Sequence, residues 1–140
     1  MATAAQTIRV SLLDDHTLVR LGLARFIEQQ PDLLLAGSYA SGAETLRDLG
    51  PTRTDVLILD YALAPGDISG PELILTLKQQ HPTLSIIVLT ASIDETRMFA
   101  CFEAGASGIA HKRLPLPELM DAIRMIHGGQ RYVDPSLIHP

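Results

Sequence analysis

Two hydrophobic periods alternate along the chain. Val56-Leu57-Ile58-Leu59 and Ile86-Ile87-Val88-Leu89 are unbroken apolar runs. Such runs suit strands buried on both faces of a parallel sheet. Ile8-Arg9-Val10-Ser11-Leu12-Leu13, the stretch from Leu33 to Ala40, and Gly108-Ile109-Ala110-His111 read as three further strands. Between them apolar residues recur at helical spacing. Val19, Leu23, Phe26 and Ile27 form one stripe, and Leu119, Ala122, Ile123 and Ile126 form another. Ser41-Gly42-Ala43-Glu44 and Ser92-Ile93-Asp94-Glu95 have the S-x-x-E form of a capping box and open two helices. Pro71 suits the first turn of another, which His81-Pro82 closes. Gly105 stops the helix running through Ala104, and the last helix starts near Pro117 and ends at Gly128-Gly129. Five strand–helix pairs predict a parallel sheet with right-handed crossovers and helices on both faces.

Composition narrows this picture. A chain of 140 residues has the length of one domain, and its 46% apolar content argues against disorder. With 4% aromatics and no Trp, the core falls to Leu, Ile, Val and Ala. A net charge of −5 with scattered Lys and Arg makes direct nucleic-acid binding a poor reading. The single Cys101 excludes an internal disulfide and fits a reducing cytosol. The start lacks a basic segment followed by an apolar one, as a signal peptide needs, and no apolar run reaches membrane-spanning length. Residues 1–7 read as a flexible tail, 8–129 as the domain, and 130–140 as the polar, Pro-bearing start of a linker.

The candidate chemistry lies where strands end. Asp14 and Asp15 follow the first, Asp60 the third, Thr90 the fourth and Lys112 the fifth. Open parallel sheets bind ligands beyond these carboxyl ends. Three acids at one point repel unless a cation joins them, and a hydroxyl with an ammonium suits an anion. The set therefore points to a hard divalent metal and a phosphoryl group. Taken singly, Asp14 reads equally as a helix cap, Thr90 as a turn residue, and Lys112 beside Arg113 as a solvated charge. Only their joint placement carries the functional reading. His16 reads as a capping or surface residue. His81, His127 and His139 show no metal spacing, and His111 reads as structural. Cys101, Met98, Met120 and Met125 read as packing residues.

In the order and spacing of these residues the chain resembles a response regulator receiver domain of two-component systems, from Ile8 to about Pro135. More narrowly, Asp14-Asp15-His16-Thr17-Leu18-Val19-Arg20-Leu21-Gly22-Leu23 and Ile126-His127-Gly128-Gly129-Gln130-Arg131-Tyr132-Val133-Asp134-Pro135 are similar to the NarL/FixJ (LuxR-type) regulators. The resemblance implies a flavodoxin-like (βα)5 three-layer sandwich with a five-stranded parallel sheet in the order 2-1-3-4-5. It implies a phosphoacceptor, Asp60, and a Mg²⁺ held by Asp14, Asp15, Asp60 and the main-chain carbonyl of Ala62. Thr90 and Lys112 are then the phosphate-binding and switch residues. The implied partner is a sensor histidine kinase, with homodimerisation on phosphorylation. DNA is reached only through a helix-turn-helix domain missing from this chain, the setting is cytoplasmic, and no membrane is involved. On this reading the chain takes part in phosphotransfer to its own Asp60 and is not an enzyme with independent turnover. The alternative is a receiver-like interaction module that works without phosphorylation.

Three departures from the family pattern stand out. The usual aromatic three residues before the Lys is Ile109 here. The loop 61–70 carries Pro65 one position late and Gly70 later still, which weakens the Ala62 assignment. Lys112 is followed by Arg113 where many receivers have a Pro. A haloacid dehalogenase-type enzyme is disfavoured by Ala62, since that class carries an acid two residues after its nucleophile. A P-loop is disfavoured because no G-x-x-x-x-G-K-[ST] run exists.

Overall fold

The computed structural model describes residues 7–92 and 94–137. The expected tail at residues 1–6 and His139 lie outside the described residues. Strand β1 (Ile8–Leu13) is followed by α1 (Thr17–Glu28), β2 (Leu33–Tyr39), α2 (Gly42–Asp48), β3 (Val56–Asp60) and α3 (Gly70–Gln80). Then come β4 (Ser85–Thr90), α4 (Glu95–Ala104), β5 (Gly108–His111), α5 (Leu116–His127) and β6 (Tyr132–Val133), with a 3-10 turn at Pro135–Leu137. The sheet is parallel with order β2-β1-β3-β4-β5-β6. Its first five strands are the expected flavodoxin-like arrangement. The sixth is an addition: two residues of the stretch read as linker pair with β5, Gly108 with Tyr132 and Ile109 with Val133.

The apolar runs of β3 and β4 are buried throughout because both sheet faces are covered. Val56, Ile58, Ile87 and Leu89 pack with Leu23 and Ile27 of α1 and Leu119 and Ile123 of α5. Leu57, Leu59, Ile86 and Val88 pack on the other face with Leu73, Ile74 and Leu77 of α3 and Cys101 of α4. Strand alternation thus sends one run into two cores. The α5 stripe is buried as its period predicts. In α1 only Leu23 and Ile27 of the expected stripe are buried; Phe26 is partly buried and Val19 is 43% exposed.

The helix ends follow local chemistry, with one correction. Ser41 caps α2, accepting from Glu44 N at 3.0 Å, and Glu44 returns a carboxylate oxygen to Ala40 N at 2.7 Å. At α4 the cap is Asp94, which accepts from Arg97 N at 2.8 Å, and not Ser92. Asp is at least as good a cap as Ser and stands directly before the helix. Gly105 ends α4 at φ 118°, left-handed as a C-terminal glycine should be. No peptide bond among the described residues is cis.

The unusual loop after β3 has a structural purpose. Asp67 reaches across to the N-terminus of α2, accepting from Gly42 N at 2.7 Å and Ala43 N at 3.2 Å. A side chain at Gly42 would collide with the main-chain oxygen of Ile68, so the two segments lie in direct backbone contact. The longer loop therefore serves as a second cap for α2.

Candidate functional site

Strand register places the candidate residues in adjacent ranks. Leu13 pairs with Leu59, and Asp60 with Leu89. Asp14 and Asp60 therefore leave the sheet side by side. Thr90 pairs with His111, one residue before Lys112. The five residues come together at the carboxyl edge, as their strand-end positions predict.

Asp60 is the centre of this cluster and is 1% exposed. Lys112 Nζ lies 2.9 Å from Asp60 Oδ1, which also accepts from Ala62 N at 3.3 Å. Asp60 Oδ2 is buried with no hydrogen-bond partner. Burial raises the Asp60 pKa above the ordinary carboxylate value, the Lys112 ammonium opposes this, and the charge of Asp14 adds to it. The net direction is upward: the ionised carboxylate is under-compensated.

Asp14, also buried, anchors the other side. Its Oδ1 accepts from His16 N at 2.8 Å, and its carbonyl accepts from Arg20 Nη1 at 2.6 Å. His16 has the helix-cap position but its side chain caps nothing. Instead its Nδ1 faces the carboxylates, 2.9 Å from Asp14 Oδ1 and 3.1 Å from Asp15 Oδ1. His16 is a surface residue at the cap position, as expected, and its exposed imidazole also folds back onto both acids. Only its adjacency to the Asp pair hinted at this. Asp15 Oδ1 is buried without a hydrogen bond. Ligand atoms of Asp14, Asp15, His16 and Asp60 all lie within 4.8 Å of one another.

These atoms fit a hard cation. Two buried carboxylate oxygens, Asp15 Oδ1 and Asp60 Oδ2, make no hydrogen bond, although the first lies near His16 Nδ1, and oxygen-rich sites of this kind suit Mg²⁺. The pocket can bind a metal. The Thr90 hydroxyl, 3% exposed, donates to Ser92 O at 2.8 Å and accepts from Ser92 N at 3.3 Å. It is held by its own loop. Ile109 is fully buried in the α3–α4 core and flanked by Val88 and Val133, so an aliphatic residue fills the position where the family pattern has an aromatic.

Beside the acids a cleft of about 250 Å³ opens between α1 and the start of α5, lined by Asp14, Leu18, Val19, Lys112, Leu114 and Leu119. Leu18, at its mouth, is 84% exposed. No helix among the described residues is long and apolar enough to cross a membrane.

Comparison with known proteins agrees with this geometry. The family described as "Response regulator receiver domain" matches residues 10–124. The transcriptional regulatory protein LiaR of Bacillus subtilis is 37% identical over 123 residues, covering 88% of this chain and 57% of LiaR. A two-component response regulator of the LuxR family from Aurantimonas sp. superposes with a TM-score of 0.87 at 31% identity, covering 95% of this chain and 94% of that one. The isolated receiver domain of RcsB from Salmonella enterica serovar Typhimurium, determined with the phosphomimetic BeF3−, gives 0.85 at 25% identity, with 95% and 97% coverage. The chain spans about 60% of the length of the curated relatives it matches. With the family match over most of its length and the strand-end cluster in place, the chain belongs to the response regulator receiver domains, of the NarL/FixJ type.

Proposed function

We propose that Asp60 is the phosphoacceptor of a phosphorylation-controlled switch. The observation that carries this is a half-paired carboxylate: Oδ1 on Lys112 at 2.9 Å, and Oδ2 buried and without a partner. An Asp60 oxygen attacks phosphorus, the bond from phosphorus to the donor breaks, and the donor leaves with the electron pair. Phosphoryl transfer of this kind needs positioning and charge stabilisation above all. Lys112 moves from the carboxylate to the phosphoryl oxygens, as a compact point charge can. Thr90 gives up Ser92 O and donates its hydroxyl to the phosphoryl group. Asp14, Asp15, Asp60 and the Ala62 carbonyl would hold Mg²⁺, which would supply positive charge to the phosphoryl oxygens.

The donor is a sensor histidine kinase in the cytoplasm, or a small acyl phosphate. The exposed Leu18 and its cleft offer a donor protein an apolar contact next to Asp60. Phosphorylation promotes a homodimer, and the output is transcriptional, through a helix-turn-helix region outside this sequence. That LiaR is a transcriptional regulatory protein supports that output.

Incubation with acetyl phosphate and Mg²⁺, read by intact mass, tests the proposal. The wild type gains one phosphoryl group, and Asp60→Asn gains none. An unlabelled wild type, or equal labelling of the variant, overturns it.

A further inference from the structure

The segment after α5 is fastened to the strand that carries Lys112. Tyr132 N donates to Ser107 O and Asp134 N to Ile109 O, each at 3.0 Å. The Asp134 carboxylate then crosses back: Oδ2 accepts from His111 N at 3.0 Å, and Oδ1 accepts from Ser136 N at 3.0 Å. Asp134 is 4% exposed. Burial alone raises its pKa, but the amides of His111 and Ser136 outweigh burial and hold it below the usual carboxylate value. A carboxylate this deep persists only when such bonds are made.

Three consecutive amides at the end of β5 have three different destinations. His111 N goes to Asp134, Lys112 N to Thr90 O at 2.9 Å, and Arg113 N to the ring Nδ1 of His111 at 3.0 Å. The residues assigned to the phosphoryl group, Lys112 and Thr90, are thus joined through the main chain, one peptide from the anchor of the C-terminal segment. A bare strand end would need only a main-chain partner for His111 N. Here a buried charge supplies it, and the same charge caps the turn at Pro135–Leu137.

We propose that Asp134 is a positioning residue that couples the phosphoryl site to segment 132–137. The inference rests on the phosphoacceptor reading of Asp60. When Lys112 and Thr90 shift onto a phosphoryl group, the Lys112 N to Thr90 O bond makes them move as a unit. The His111 amide moves with them, and its acceptor is Asp134. The hydrogen bond then either carries the tail with it or breaks and frees the tail from its anchor on β5. The coupling element is bistable and local, and its bias is a new anion.

Amide hydrogen exchange of the whole chain with Mg²⁺, with and without beryllofluoride, tests this. In the wild type, peptides covering His111 and residues 132–136 change their exchange rate several-fold on adding the phosphoryl mimic. In Asp134→Asn and Asp134→Ser, Asp60 still takes a phosphoryl group from acetyl phosphate by intact mass, but the tail response falls to less than half. Two outcomes overturn the coupling alone: a wild type that is phosphorylated with no change at 132–136, or a folded variant whose tail responds as the wild type does. Failure of the wild type to accept a phosphoryl group overturns the phosphoacceptor reading, and the coupling falls with it.

Discussion

Asp60 concentrates the conflict of the site in one side chain. Its burial and the charge of Asp14 raise its pKa, and the ammonium of Lys112 offsets only part of this. A raised carboxylate contributes stability when protonated and loses it as pH rises through the folded value. At neutral pH the metal-free protein therefore carries a destabilising charge. Asp60→Asn removes that charge, and we expect its thermal midpoint without Mg²⁺ to exceed that of the wild type by a few degrees. On the proposed metal reading Mg²⁺ binds the native state, and it should then raise the wild-type midpoint through mass action. In Asp60→Asn this increment shrinks. Thermal melts of both proteins with and without Mg²⁺ check the point, and an equal Mg²⁺ increment in the two would refute the assignment of Asp60 to the metal. His16 belongs to the same balance: its Nδ1 lies against Asp14 and Asp15, two of the carboxylates proposed to hold the cation.

At the scale of elements, α2 shows how a departure from pattern becomes a support. This helix spans only Gly42–Asp48, too short to be stable by propensity alone. It is held by Ser41 at its first turn and again by Asp67 from the β3–α3 loop. Asp67→Ala removes two main-chain partners from the helix start and should cost about 1 kcal/mol, the ordinary worth of a cap. Gly42→Ala should cost roughly 1–3 kcal/mol, because it forces the Ile68 backbone away. Denaturant unfolding measures both. If the loop cap is real, Gly42→Ala is the more damaging and also alters the exchange of residues 66–70. A second element, β6, is two residues long and would not hold alone. Asp134 supplies the bonds that its length cannot.

Among side-chain hydrogen bonds of the described residues, the largest sequence separations run from Arg124 to Gln30 and to Asp32, 94 and 92 residues apart. The guanidinium binds both Asp32 oxygens, at 2.8 and 3.0 Å, and also Gln30 and Asp121. It ties α5 to the α1–β2 turn. The Arg124 hydrogen bonds hold the Asp32 carboxyl below its ordinary value of 3.8. Its stabilising contribution is therefore present above that value and lost as pH falls through the lowered one. Arg124→Met should destabilise the fold clearly at neutral pH and by less in acid, once the pH has fallen through the lowered Asp32 value. Unfolding curves at the two pH values decide this, and an undiminished difference in acid would show that the Arg124 stem, not its charge, is what matters.

By itself the sequence determined the layered α/β fold and the identity of the strand-end residues. Both follow from local rules: apolar runs of strand length, stripes at helical spacing, and acids placed directly after strands. The spacing of Asp14, Asp60, Thr90 and Lys112 fixes which strand carries each, so their convergence followed once the sheet was parallel. Only the tertiary structure decided what depends on contacts between distant segments. It brought the exposed imidazole of His16 against two carboxylates and moved a helix cap from Ser92 to Asp94. It used Asp67 to cap a helix 25 residues away along the chain, and it drew Tyr132–Val133 into the sheet. None of these leaves a periodic trace, because each is a single polar bond or a two-residue pairing whose geometry exists only after the layers have packed.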